Sequence, residues 1–191
     1  MKRLNLPVLA VCFAFVAIST NMKAQADSNT SAHDITISIP EVALVDIEPT
    51  ASKNLTMGFT VPTEAGLPIV PASTNNTLWL NYSSIKSVAD VTRTISVQLG
   101  AVIQGVDIKV TAAGATGGAG GGLLGNPASQ LTLTATPQTI ISGIGSAYTG
   151  DGASNGHNLS YSVVSATGVN YQNLSATATS TATVTYTISD N

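Results

Sequence analysis

The chain of 191 residues has little charge: only 9% of it is Asp, Glu, Lys or Arg, against about 25% in an ordinary soluble domain. It has one cysteine, Cys12, and one tryptophan, Trp79. No apolar run reaches the ~18 residues of a membrane-spanning helix. There is no basic surplus to hold nucleic acid, the formal net charge being −3. No segment sustains apolar residues at i, i+3 and i+4, so helices are not expected. These absences exclude membrane-spanning, nucleic-acid-binding and helical-bundle classes. With 43% hydrophobic residues, the chain is also not a disordered tail.

The first 26 residues read as a leader. Lys2 and Arg3 are followed by an apolar stretch from Pro7 to Ile18 and then by Ala24-Gln25-Ala26, a small-residue cleavage site. Leu9-Ala10-Val11-Cys12 approaches a lipobox, but Val11 is bulky for that cleavage and the apolar run continues past Cys12. Residues 1–26 are therefore expected to be a signal peptide, and the protein to be exported to the periplasm, outer surface or medium. Residues 27–191 are expected to form one domain. It keeps Lys53, Lys86, Arg93 and Lys109 against all ten acidic residues, a formal charge of −6, and it has no cysteine for a disulfide. Beyond Lys109 the only charges are Asp151 and Asp190. Such a surface lacks the usual guard against strand-to-strand association.

A period of two recurs along the domain. Ile35, Ile37 and Ile39 alternate with Thr36 and Ser38; Leu55, Met57, Phe59 and Val61 follow. Similar sets begin at Leu78, Ile95, Val106, Leu131, Leu159 and Ala182. This period places each set on one face of a strand, and Pro, Gly and Asn clusters separate the sets. The expected fold is all-β: a two-sheet, Ig-like β-sandwich of about 8–10 short antiparallel strands. The Gly/Ala stretch 113–125 is expected to be a flexible loop.

Residues that could carry chemistry are few. Gly120–Gly125 matches G-x-G-x-x-G, but a strand pattern, not a helix, follows. In the Gly/Asn loop, Asp151 and Asn155 form a weak calcium candidate with a single carboxylate; no other cofactor is expected. His157 has Ser154, Ser160 and Asp151 nearby but no nucleophile-elbow context. Asp46 and Glu48 share the parity of one segment and read as a solvated strand end rather than a glycosidase pair. Trp79, off the parity of Leu78 and Leu80, joins Tyr148 and Tyr171 as a possible aromatic platform for a glycan.

The closing stretch, Ser180-Thr181-Ala182-Thr183-Val184-Thr185-Tyr186-Thr187-Ile188-Ser189, resembles the last strand of bacterial pilin-like and spore-coat-U-like secreted sandwiches. Gly156-His157-Asn158-Leu159-Ser160-Tyr161-Ser162-Val163 and the Thr-rich body fit the same group. The resemblance implies surface-appendage subunits joined by strand addition, with Asp34–Ile39 as donor and Ile35, Ile37 and Ile39 as the residues of self-association. The same segment also reads as strand one of a complete sandwich. Many pilins carry a disulfide that residues 27–191 cannot form. The expected function is a non-enzymatic, exported structural or adhesive surface protein, a fimbria-like subunit whose partners are its own copies or other surface proteins. The alternative is a small secreted carbohydrate-binding module.

Overall fold

The structure is a computed structural model that describes residues 29–118, 120–165, 169–176 and 179–191. The leader expected over residues 1–26 lies outside them. The chain divides into two units, Met1–Ser38 and Ile39–Asn191. In the first, the described residues carry no helix or strand.

The second unit is all-β and antiparallel. Its strands are β1 (Val42–Glu48), β2 (Phe59–Thr60), β3 (Val70–Pro71), β4 (Asn75–Ile85), β5 (Arg93–Leu99) and β6 (Val106–Ala112). They continue with β7 (Leu124–Pro127), β8 (Leu131–Thr132), β9 (Gln138–Ile144), β10 (Ala147–Tyr148), β11 (His157–Ser165) and β12 (Val184–Asp190). Two short 3-10 turns, Thr50–Ser52 and Val169–Asn173, are the only helical pieces among the described residues. One sheet runs β1-β4-β11-β6-β8, with β10 also paired to β4. The other runs β12-β5-β9-β7, and β2 pairs only with β3. The two larger sheets form the sandwich.

The core follows from the period of two. On β5, Arg93, Ile95, Val97 and Leu99 are buried while the residues between them are not. On β11 the buried set is His157, Leu159, Tyr161 and Val163. Leu78, Leu80 and Tyr82 of β4, with Ile140, Ile141 and Ile144 of β9, complete a continuous apolar layer. Each fully buried Ile or Leu stabilises the fold by about 2 kcal/mol relative to exposure.

Several expectations change in detail. Ile35, Ile37 and Ile39 alternate as a strand would, yet no strand precedes Val42 among the described residues. Alternation alone makes no strand without an edge to pair with. The run Leu55–Val61 is reduced to the two residues of β2, because Leu55 and Met57 pack on the core outside any ladder. Asn126-Pro127, a turn signal, instead ends β7, an edge strand, where a proline is tolerated. The twelve strands among the described residues exceed the expected eight to ten because four of them have two residues each.

Candidate functional site

The sandwich is open at one end. A cavity of about 790 Å³ lies between the sheets there. Its apolar walls include Val45 and Ile47 of β1, Ile108 of β6, Tyr161 of β11, and Val184 and Tyr186 of β12. β1 and β12 are both edge strands, each paired on one side only, and they touch across the two sheets. Their core-facing residues Val45, Ile47, Val184, Tyr186 and Ile188 are only half-buried, whereas those of the inner strand β5 are fully buried. Tyr161 and Tyr186 meet through their hydroxyls at 2.5 Å. Burial pushes Tyr161 up to about 12, partly offset by that hydrogen bond, and holds Tyr186 well above its ordinary value. Both phenols are therefore neutral at physiological pH.

Asp34–Ile39, the expected donor, is extended in sequence character and unpaired. Ile35, Ile37 and Ile39 are 75%, 78% and 74% exposed. Three large apolar side chains in a row on one parity, all in water, are unusual for a segment without a partner.

The opposite end is closed by Arg93, which is fully buried. Its Nε donates to Asp190 at 2.5 Å, and its Nη2 to Glu41. Its Nη1 donates to the carbonyls of Val42 and Ile85, the latter at 3.3 Å. The guanidinium thus joins β5 and β12 of one sheet to β1 and β4 of the other. Glu41, Asp90 and Asp190 form the one cluster of metal-ligand type among the described residues. Arg93 already supplies the positive charge there. Sequence reasoning passed over Arg93, although it shares the parity of Ile95, Val97 and Leu99 and so had to face the core.

His157 is also buried. Its Nδ1 donates to the carbonyl of Ala113 at 2.7 Å, and its Nε2 lies 3.2 Å from the hydroxyl of Tyr82. That hydroxyl in turn donates to the carbonyl of Leu124. His157 and Tyr82 therefore grip both ends of the Gly/Ala loop. Burial lowers the imidazole's pKa, against the two backbone carbonyls that raise it. Gly156 before it has φ +73, and a Cβ there would run into the carbonyl of Leu80; only glycine lets β11 start this close to β4. Ser160 alternates away from His157 on β11, so the two do not form a nucleophile–base pair.

Of the remaining expected site residues, Asp46, Tyr148 and Asp151 border one surface hollow, while Tyr171 does not. The Asn155 side-chain nitrogen donates to the backbone carbonyl of Asp151 at 2.7 Å, closing their own turn. Glu48 accepts from the backbone and hydroxyl of Thr50 at 2.8 and 2.9 Å, and Asp46 accepts from its neighbour Ile47. Trp79 and Tyr148 both lie on the outer face of the six-stranded sheet, on β4 and β10. Tyr171 is elsewhere, on the second 3-10 turn, with its hydroxyl accepting from Ile69 at 3.4 Å.

Compared with protein-family models, curated proteins and solved structures, the chain matches none.

Proposed function

We propose that this chain is an exported, non-enzymatic structural or adhesive subunit of a cell surface, and that its copies join by strand addition. Asp34–Ile39 of one copy lies along the free edge of β12 in the next. Ile35, Ile37 and Ile39 enter the open end of the sandwich, and Thr36 and Ser38 face water. One observation carries the reading: the half-covered inward residues of the two facing edge strands have an apolar complement in an unpaired isoleucine triad of the same chain.

The dimensions agree. Six extended residues reach about 20 Å, close to the length of the seven-residue β12. Each isoleucine leaving water contributes about 2 kcal/mol, and main-chain hydrogen bonds along β12 add direction and register. β12 also lacks the usual defences of an edge: it has no Lys and no Pro, and its one charge, Asp190, sits at the end. Export rests on the leader-like residues 1–26.

The test is native size. Protein extracted gently from the envelope of the producing cell and run without boiling is expected to give a ladder that collapses to one band on heating. Ile37→Asp places a charge in the middle of the donor and is expected to leave monomer only. A single monomeric species from the wild type would sink strand-linked assembly.

A further inference from the structure

The outer face of the six-stranded sheet, remote from the open end in its parity, carries a second arrangement. Along β4, Leu78, Leu80 and Tyr82 point to the core, and Trp79, Asn81 and Ser83 point the other way. The register sets Asp46 of β1 opposite Asn81, and both Leu44 of β1 and Tyr148 of β10 opposite Ser83. Two aromatics thus stand four residues apart on one face, about 13 Å along the strand, with Asn81 and Asp46 between them.

A hollow of about 290 Å³ occupies the Tyr148 end. Leu44, Asp46, Asn81, Ser83, Tyr148 and Asp151 line it. Tyr148 is 52% exposed. Its ring is backed by the Gly/Ala loop, for a Cβ at Gly120 would stand 2.8 Å from the ring's Cε1. Asn81 is only 5% exposed. Its Nδ2 donates to the carbonyl of Asn155 at 2.6 Å, but its Oδ1 has no partner among the described residues. A buried amide oxygen left unpaired costs about 1–3 kcal/mol. Asn81 borders the hollow, where a bound donor would satisfy that acceptor.

We infer that this hollow is a saccharide subsite, in which a neutral pyranose ring packs against Tyr148 and its hydroxyls donate to Asn81 and the flanking carboxylates. The carboxylates of Asp46 and Asp151 and Asn81 Oδ1 are all acceptors, so the ligand must bring donors. An aromatic face beside Leu44 asks for an apolar surface as well, and the C–H face of a sugar, slightly positive, suits the electron-rich ring. The two carboxylates disfavour an anion. A bare cation would use carboxylates but not the ring or Leu44, and one oxygen of Asp46 already accepts from Ile47. Trp79, further along the face, is placed to meet the next sugars of a chain. The arrangement follows the usual form of a ligand site, apolar walls with a few placed polar groups.

The test is affinity electrophoresis and calorimetry of the mature chain with soluble hexaoses of glucose, mannose, xylose and N-acetylglucosamine, and separately with calcium chloride. At least one hexaose is expected to bind. Tyr148→Ala, a change at an exposed position, is expected to weaken it at least tenfold, and Asp46→Ala several-fold. Trp79→Ala is expected to weaken the hexaose more than the corresponding disaccharide. Thermal unfolding of each variant checks that the fold survives. Absence of binding to every hexaose at millimolar concentration would overturn the inference. So would binding that Tyr148→Ala leaves unchanged, or calcium binding lost in Asp46→Ala while no sugar binds.

Discussion

The two ends of the sandwich are built from the same strands and treat their cores differently. At one end β1 begins, β12 ends, and Arg93 closes the gap with four bonds reaching both sheets. At the other end the same two strands leave Val45, Ile47, Val184 and Tyr186 facing a cavity of about 790 Å³. The pattern of alternation is identical at both ends, so patterning does not decide which end is sealed. The difference lies in what crosses the sheets. A buried guanidinium supplies fixed donors for carbonyls that would otherwise lose water. At the open end the Tyr161–Tyr186 hydroxyl pair crosses between the sheets instead, and the apolar side chains around it are only half-covered.

The largest expected effect sharpens this contrast directly. Ile95→Ala on β5 deletes fully buried methyl and methylene groups and is expected to cost about 4 kcal/mol. Ile47→Ala on β1, at the half-covered end, is expected to cost about 1 kcal/mol in the monomer, because its surroundings are already partly wet. Urea unfolding of monomeric protein at unchanged m-value measures both. Equal losses would mean that the open end is packed as tightly as the rest. The next effect breaks the sealed end: Arg93→Ala is expected to cost about 3 kcal/mol. The half-exposed carboxylates of Glu41 and Asp190 recover their hydration, but the carbonyls of Val42 and Ile85 lose their donor. A loss below about 1 kcal/mol would show that water closes this end as well as the guanidinium does.

Much of the fold was legible because each core strand repeats its parity over four or more residues. β4, β5, β6, β11 and β12 all fall where Leu78–Tyr82, Ile95–Leu99, Val106–Val110, Leu159–Val163 and Ala182–Ile188 alternate. What was not legible depends on partners. Ile35–Ile39 alternates as well as β12 does, but a strand exists only when an edge accepts it, and that is a property of the whole sheet. Asn81 sits on the outward parity beside Trp79 in a strand, where Asn is disfavoured. That was a usable signal of a polar site, yet only the register brings Asp46 and Tyr148 to it. For the Asp151–Asn155 turn the sequence offers only a composition that polar turns and calcium loops share, and the turn is closed by Asn155 Nδ2 on the Asp151 carbonyl.

The smallest effect separates the ends by pH. His157, buried between Ala113 and Tyr82 toward the sealed end, is neutral in the fold, and its pKa lies below the ordinary 6.5. The unfolded chain therefore binds a proton first as pH falls. The stability contributed by neutral His157 is full above about 6.5 and is lost as pH drops through that value toward the lowered native one. At the open end the sign reverses. Tyr161 and Tyr186 ionise above their ordinary 10.0 in the fold, Tyr161 at about 12, so their contribution is full below 10 and is lost as pH rises. Tyr82 is raised too and adds to the alkaline loss, which makes single variants necessary. Thermal midpoints followed between about pH 5 and pH 11 should fall on both sides. His157→Gln is expected to flatten the acid side alone. Tyr186→Phe, which leaves the Tyr161 hydroxyl without its partner, is expected to lower the midpoint slightly at neutral pH and to shrink the alkaline loss. An acid limb unchanged in His157→Gln would show that the buried imidazole is not its source.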